Sequence, residues 1–306
     1  MFKEFLQNEG LSLERLHTLV LLADAGSLTK AAGNDAGRQT RMSHHLRELG
    51  EFFHIALTER SGRTLKLTPK GKELADIARN HLSTLQTFAR SVQTAEHEWA
   101  IGAGDSVLQW WLMPALGRRG LPPRWSLQNL RTAEIGSRVA DERLDFGLVR
   151  SDAVRDSVEA AQIGTIKYAI VVPRRLLRGN LSTKTALAEL PHATIGTDGQ
   201  LTERLRKIAS DLGSIFQARL KCDSLGLCLA AVRTGRYAAV LPTYILDEET
   251  LAGVEIVEAD LEELNRPMAL IWNRRTVEML GRSAVETKNA LLAALRAEDE
   301  ERRREG

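Results

Sequence analysis

Apolar positions recur at helical intervals from the start of the readable pattern. After Ser12, which has the chemistry of an N-cap, Leu16, Leu19, Val20 and Ala23 predict a first helix that Gly26 ends. Ser27 then caps a short second helix carrying Ala31 and Ala32, both small enough for close helix approach. A third helix is predicted from about Arg38 to Leu49. At about 100° per residue, Met42, Leu46 and Leu49 form one stripe, with Thr40, His44 and Arg47 opposite. The run "ERSGRTLKLTPKG" predicts a tight turn at Ser61-Gly62 between two short strands. Thr68 as N-cap and Pro69 at the first helical position open one long helical pattern reaching about Trp99. Its positions Leu74, Ala78, His81, Leu85, Phe88, Val92 and Ala95 are spaced alternately by four and three. That heptad-like stripe, interrupted at His81, predicts a helix that pairs with a copy of itself, the alternative being packing on its own domain.

Beyond Trp99 the period changes. Short β-like runs ("EWAIGAG", "RWSLQNLR", "LDFGLVR", "YAIVVP", "ATIGTDG", "FQARLKCDS", "YAAVLP", "MALIWNRR") alternate with helical ones. Repeated strand–helix units predict a mostly parallel sheet, with ligands at the carboxyl ends of its strands. A chain of 306 residues is long enough for two or three domains.

Charge changes the picture locally. The whole chain carries only +2, but residues 38–72 hold eight Lys/Arg against three Asp/Glu, a local +5. Such an imbalance on one face of a helix and its neighbouring turn predicts a polyanionic partner. The opening "MFKEFLQNEG" mixes acids in and leads into no apolar run, so it does not read as a secretory signal. No stretch approaches the roughly 18 apolar residues of a membrane span. Two cysteines are too few for a disulfide framework, and the reading is a cytoplasmic protein without membrane association.

The N-terminal pattern resembles the winged helix-turn-helix of LysR-type transcriptional regulators. The residues that carry the likeness are "LERLHTLVLLADAGSLTKAA", Gln39, Ser43, Leu46, Leu49 and "ERSGRTLKLTPKG". It continues through "LDFGLVR", "YAIVVP", "CDSLGLCLAAVRTGRYAAVLP" and "ALIWNRR", in the order that family's effector domain uses. The resemblance implies a winged helix-turn-helix over residues 1–68, a linker and dimerisation helix over 69–97, and an effector-binding domain over 98–306. The last is a two-lobed, doubly wound α/β domain like that of periplasmic binding proteins, with one lobe from 98–166 and 267–306 and the other from 167–266. Asp35 and Arg38 stand where the family carries a Leu and a capping Ser, and His54 and Thr58 where it carries a Gly and a Phe. Those departures predict a looser turn and cap on an intact scaffold.

In this family the third helix enters the major groove and the wing touches the backbone. Arg pairs with guanine and Gln with adenine through two parallel hydrogen bonds, which makes Arg38, Gln39 and Arg41 the base-reading candidates. Ser43, His44, Arg47, Arg63 and Lys66 are phosphate candidates, and Ser27, Thr29 and Thr40 complete the DNA-facing set. The resemblance implies double-stranded DNA, a small-molecule effector, a homodimer or homotetramer, and RNA polymerase as partners.

"GAGDS" admits other readings. A serine hydrolase would use Ser106 as nucleophile, but no Asp-x-x-His occurs and the last histidine is His192, so the base is missing. A dinucleotide loop fails because Val107 takes the third glycine's place. The family reading makes Ser106 an effector contact at the end of the first strand, with Thr132, Thr197 and Ser224 at comparable strand ends; ordinary helix caps are the alternative. Such hydroxyls suit a small polar or anionic ligand, with Arg131 as a charge partner for a carboxylate. Trp110 and Trp111 either wall that pocket or are simply buried. Cys228 reads as core, whereas Cys222, beside Lys221, stays open as a redox-active thiol. His44 and His45 are adjacent on a helix and point apart, and no metal or cofactor is expected. The main rival is a solute-binding protein in which the α/β part acts alone.

Overall fold

A computed structural model describes residues 10–305, apart from 62–63, 94–96, 119, 178, 180, 197–199, 247 and 258–260. The chain divides between His97 and Glu98 into two compact units, with Asp141–Arg143 counted in the first.

The first unit begins with α1 (Leu13–Ala25), α2 (Leu28–Ala31) and α3 (Ala36–Phe53). The Ser12 and Ser27 side chains accept from Arg15 N and Lys30 N, and Gly26 closes α1 in the left-handed region at φ 70°. Met42, Leu46 and Leu49 of α3 are 4%, 2% and 0% exposed, so the predicted stripe is the face that meets Leu19, Leu22 and Leu28. Truncating any of these leucines to alanine costs about 2–5 kcal/mol by lost burial and the cavity left behind. α3 is longer than the spacing predicts. It starts two residues earlier because the Asp35 carboxylate accepts from Arg38 N at 2.9 Å, and it runs on to a left-handed cap at His54, φ 55°. The expected loosening therefore does not occur at the cap: the acid in the turn does the work of the missing Ser, on the N-terminal end where the helix dipole favours it.

β1 (Thr58–Ser61) and β2 (Thr64–Leu67) form an antiparallel hairpin with Ser61 opposite Thr64; the predicted turn itself falls on Gly62, outside the described residues. α4 (Pro69–Gln93) follows, with Gly71 N donating to Thr68 Oγ1 at 3.0 Å. Gly71 is required by space, since a Cβ there would lie 2.1 Å from the Leu57 carbonyl oxygen. The heptad-like stripe divides in two. Ala78 is buried on the helix's own unit, whereas Leu85 and Phe88 are 51% and 59% exposed. His81 is exposed, the Val92 side chain is not described, and Ala95 lies outside the described residues.

The second unit holds two five-stranded sheets. One comprises β3 (Trp99–Ala103), β4 (Trp125–Asn129), β5 (Phe146–Arg150), β6 (Glu159–Ile166) and β12 (Arg266–Trp272), in the order β4-β3-β5-β12-β6. The other comprises β7 (Tyr168–Pro173), β8 (His192–Ile195), β9 (Ala218–Cys222), β10 (Ala238–Pro242) and β11 (Val254–Val257), in the order β11-β7-β10-β8-β9. The chain thus passes from the first lobe to the second at Lys167 and returns before Arg266. The expectation of mostly parallel strands needs correcting. β4, β3 and β5 are mutually parallel, as are β10, β8 and β9, but β12 and β7 run antiparallel to both of their neighbours. The parallel half of each sheet is where strand–helix–strand units lie; the antiparallel half is made by the strands that carry the chain between lobes.

The helices bracket these sheets. α5 (Asp105–Val107), a π-helical segment (Leu108–Leu112) and α6 (Met113–Leu116) follow β3, and α7 (Thr132–Ala140) follows β4. In the second lobe α8 (Thr183–Glu189) and α9 (Gln200–Asp211) surround β8, and α10 (Leu225–Arg233) joins β9 to β10. α11 (Glu248–Gly253), α12 (Arg274–Leu280) and the long α13 (Arg282–Glu305) follow. Period-two burial makes each sheet two-faced: Ile170 and Val172 pack with Leu205 and Val240, while Val171 packs with Leu229 and Leu241 on the other side. Trp99, Trp111, Phe146 and Leu295 sit in the first lobe's core.

Candidate DNA interface and effector cleft

α3 presents its polar face in two electrostatic halves. Near its N-terminus Arg38, Thr40 and Arg41 are exposed and Gln39 is half-buried, and among the described residues neither arginine is in an ion pair. Thr40 returns its hydroxyl to the Ala36 carbonyl at 3.0 Å, which fixes its side chain along the helix. Toward the C-terminus the acids intervene. Arg15 Nε donates to Glu48 Oε2 at 2.8 Å, His44 Nδ1 lies 3.0 Å from the same oxygen, and Arg47 is 3.7 Å from Glu51. Desolvation pushes the Glu48 carboxyl up, but Arg15 and His44 more than reverse it and leave it below its ordinary value. Within α3 the positive charge left over by these ion pairs stands at the end that carries Arg38 and Arg41; the other five cations of the +5 stretch, Arg60, Arg63, Lys66, Lys70 and Lys72, lie beyond the helix in sequence.

Of the other DNA candidates, Ser43 and Thr29 are exposed, and Ser27 is occupied as the cap of α2. Lys66 is exposed on β2 and sits opposite Glu59 in the hairpin register. Arg63 lies outside the described residues.

In the second unit, parallel neighbours β4, β3 and β5 bring their carboxyl ends side by side. Thr132 opens α7 after β4, Ser106 lies in α5 after β3, and Arg150 is the last residue of β5. Arg150 is 25% exposed, with its Nε 3.2 Å from Asp152 Oδ1. The rule that ligands sit at strand ends would have found it, since it closes "LDFGLVR"; Arg131, the sequence-based candidate, is exposed in the turn before α7.

Across from them, Ser224 accepts from Leu227 N at 3.2 Å and so acts as the N-cap of α10. Thr197 lies outside the described residues. Ser106 has a partner that sequence reasoning missed: Tyr244, in the turn after β10 of the other lobe, donates its hydroxyl to Ser106 Oγ at 2.9 Å. Burial lifts the Tyr244 hydroxyl well above its ordinary range, so it stays protonated and able to donate. Trp111 is buried and donates its indole N–H to the Leu295 carbonyl at 3.0 Å, whereas Trp110 is half-buried and faces the N-terminal turn of α10 at Gly226.

Cys222 and Cys228 are both buried, 7% and 1% exposed, and free. Burial, and then the neighbouring Cys222, push the Cys228 thiol up to about 12. A thiol held there has almost no thiolate at neutral pH and is a poor redox nucleophile.

The chain matches two family models. Residues 13–72 match the bacterial regulatory helix-turn-helix protein, lysR family, and residues 93–282 match the LysR substrate binding domain. It is 26% identical over 244 residues to a probable nitrogen assimilation transcriptional activator of Synechococcus elongatus, covering 75% of this chain and 78% of that one. The fold is like that of ArgP from Mycobacterium tuberculosis (TM-score 0.66, 14% identity, 93% of this chain and 97% of that one). It is also like that of full-length LysG from Corynebacterium glutamicum with the effector Arg bound (TM-score 0.53, 19% identity, 93% and 98%). The helix-turn-helix with its hairpin, and the two mixed sheets joined by crossing strands, are the parts those two models describe, and the chain belongs to the LysR family of transcriptional regulators, which bind DNA and respond to small-molecule effectors.

Proposed function

We propose that α3 reads base edges with Arg38, Gln39 and Arg41, and that Ser43 and Lys66 hold phosphates. The observation that carries this reading is the uneven charge of α3: among the described residues its N-terminal arginines are in no ion pair, while Glu48 and Glu51 engage the cations further along. His44 and Arg47 are then braces of the helix first and phosphate contacts second. Lys66 on the hairpin contributes a point charge to the backbone, so it should matter equally on every sequence. Titration of the full chain against a random-sequence duplex at rising salt tests this: log K falls linearly with log salt, and Lys66→Ala flattens the slope by about one unit. An unchanged slope would remove Lys66 from the interface.

The effector site in this reading lies at the strand ends of the two lobes, with Ser106, Thr132, Thr197 and Ser224 supplying hydroxyls and Arg150 the charge partner. A small anionic metabolite suits that set better than a neutral one, because the guanidinium at the end of β5 and the hydroxyl that follows the neighbouring β3 are both donors for an acceptor. A catalytic role for Ser106 is not part of the proposal; its observed partner is a phenol that donates to it, the opposite of a base that would take its proton. The exposed Leu85 and Phe88 support pairing of α4 with a second copy, and RNA polymerase is the further partner that regulation at a promoter implies.

A further inference from the structure

Pro114 has no N–H, so it cannot donate to the Trp110 carbonyl four residues earlier. The carbonyl is instead taken by the Arg302 guanidinium, which reaches it from α13. The same guanidinium stands 5.8 Å from the centre of the Tyr244 ring, and Trp111 packs against that ring at 6.0 Å. The turn carrying Tyr244 is itself anchored where the chain passes between lobes, through Thr243 N donating to the Lys167 carbonyl at 2.9 Å. Backbone, cation and indole thus fix the phenol from three sides, and its hydroxyl points across the lobes at Ser106. A hydroxyl that already accepts from a phenol keeps its own proton for another acceptor.

We propose that Tyr244 is a positioning and specificity-determining residue of the effector site, which holds the Ser106 hydroxyl as a hydrogen-bond donor and thereby selects an effector with an acceptor group, a carboxylate in preference to an amide. The inference rests on the reading of Ser106 as an effector contact. The chemistry is one of direction. With Tyr244 in place, one of the two lone pairs of Ser106 is taken and its proton is directed away from the phenol, toward the ligand, so donation is favoured over acceptance. Without the phenol hydroxyl both lone pairs are open to an N–H from the ligand. Arg302 acts through Tyr244 by holding the ring.

Two measurements on the full chain test the pairing and the selectivity separately. The first is hydrogen exchange at residues 105–112 and 243–246 in the ligand-free protein. Ser106→Ala leaves the partly buried phenol hydroxyl without its acceptor and should speed exchange in both segments by roughly five- to a hundredfold, whereas Ser106→Ala combined with Tyr244→Phe should exchange more slowly than Ser106→Ala alone. Additive effects would overturn the pairing. The second compares acetate and acetamide as probes by amide chemical-shift titration. The parent should prefer acetate by about tenfold, and Tyr244→Phe, which keeps the ring and its packing, should narrow that preference severalfold. A preference unchanged in Tyr244→Phe but lost in Ser106→Ala would overturn the role of Tyr244 and leave Ser106 as an effector contact. An acetate response that is the same in the parent and in Ser106→Ala, absence included, would overturn the effector reading and the selectivity with it, while the exchange data still decide the pairing.

Discussion

His192 is fully buried in the second lobe, its Nε2 2.8 Å from the Ala186 carbonyl and its ring 5.0 Å from that of Phe216. Burial pushes its pKa below 6.5 and the Ala186 hydrogen bond only partly opposes this, so the folded protein holds it neutral. The unfolded chain binds the proton more readily, so this residue's contribution to stability is full above about pH 6.5 and is lost as the pH falls toward the lower folded value. Urea unfolding of the full chain between pH 7 and pH 5 should show a decline that His192→Gln, which cannot take up that proton, partly removes. Equal declines in both proteins would mean that other groups account for it. From sequence, His192 served only as the last histidine, with no Asp three residues before it to make a hydrolase base. Its actual setting depends on a helix and a strand that close over it, which no local pattern announces. Tyr244 was hidden for the same reason, being 138 residues from Ser106.

At the scale of elements, α4 changes character along its length. Its first turns are held by Thr68 and by buried Ala75 and Ala78, while Leu85 and Phe88 form an exposed apolar pair one turn apart. Such a pair on a long helix fits a seam between two copies. Leu85→Asp would place a carboxylate in that seam at a cost of about 3 kcal/mol, raising the dimer dissociation constant roughly a hundredfold. Light scattering across a dilution series checks this, and a parent chain that is monomeric at all concentrations would end the idea. The start of the helix was legible because its cap and its proline agree; its end was not, since the helix is Pro69–Gln93 and Trp99, to which the pattern was extended, opens β3. α3 was legible as a stripe but not at its start, since Arg38 occupies the usual cap position; the capping acid is Asp35, three residues before the N–H it accepts. Strand direction was less legible still. Alternation of apolar residues marks a buried strand whichever way its neighbours run, so the pattern could not single out β7 and β12 as antiparallel to theirs.

Across the whole molecule a net charge of +2 conceals a division of labour. Arg38 and Arg41, in no ion pair among the described residues, stand at the N-terminal end of α3, and the second unit carries hydroxyls and Arg150 at its strand ends. Among the described residues no helix is long and apolar enough to cross a membrane. The regulator account stands or falls on whether that end of α3 recognises sequence, since a basic helix alone would bind any duplex. The most direct measurement is a titration of the parent and Arg41→Ala against an operator found by footprinting upstream of a neighbouring gene and against a random duplex, at one fixed salt concentration. The account predicts that Arg41→Ala loses about 1–3 kcal/mol on the operator and much less on the random duplex, with discrimination blurred at one base pair. Equal losses on both duplexes would make Arg41 a phosphate contact and contradict the assignment of base reading to the N-terminal end of α3.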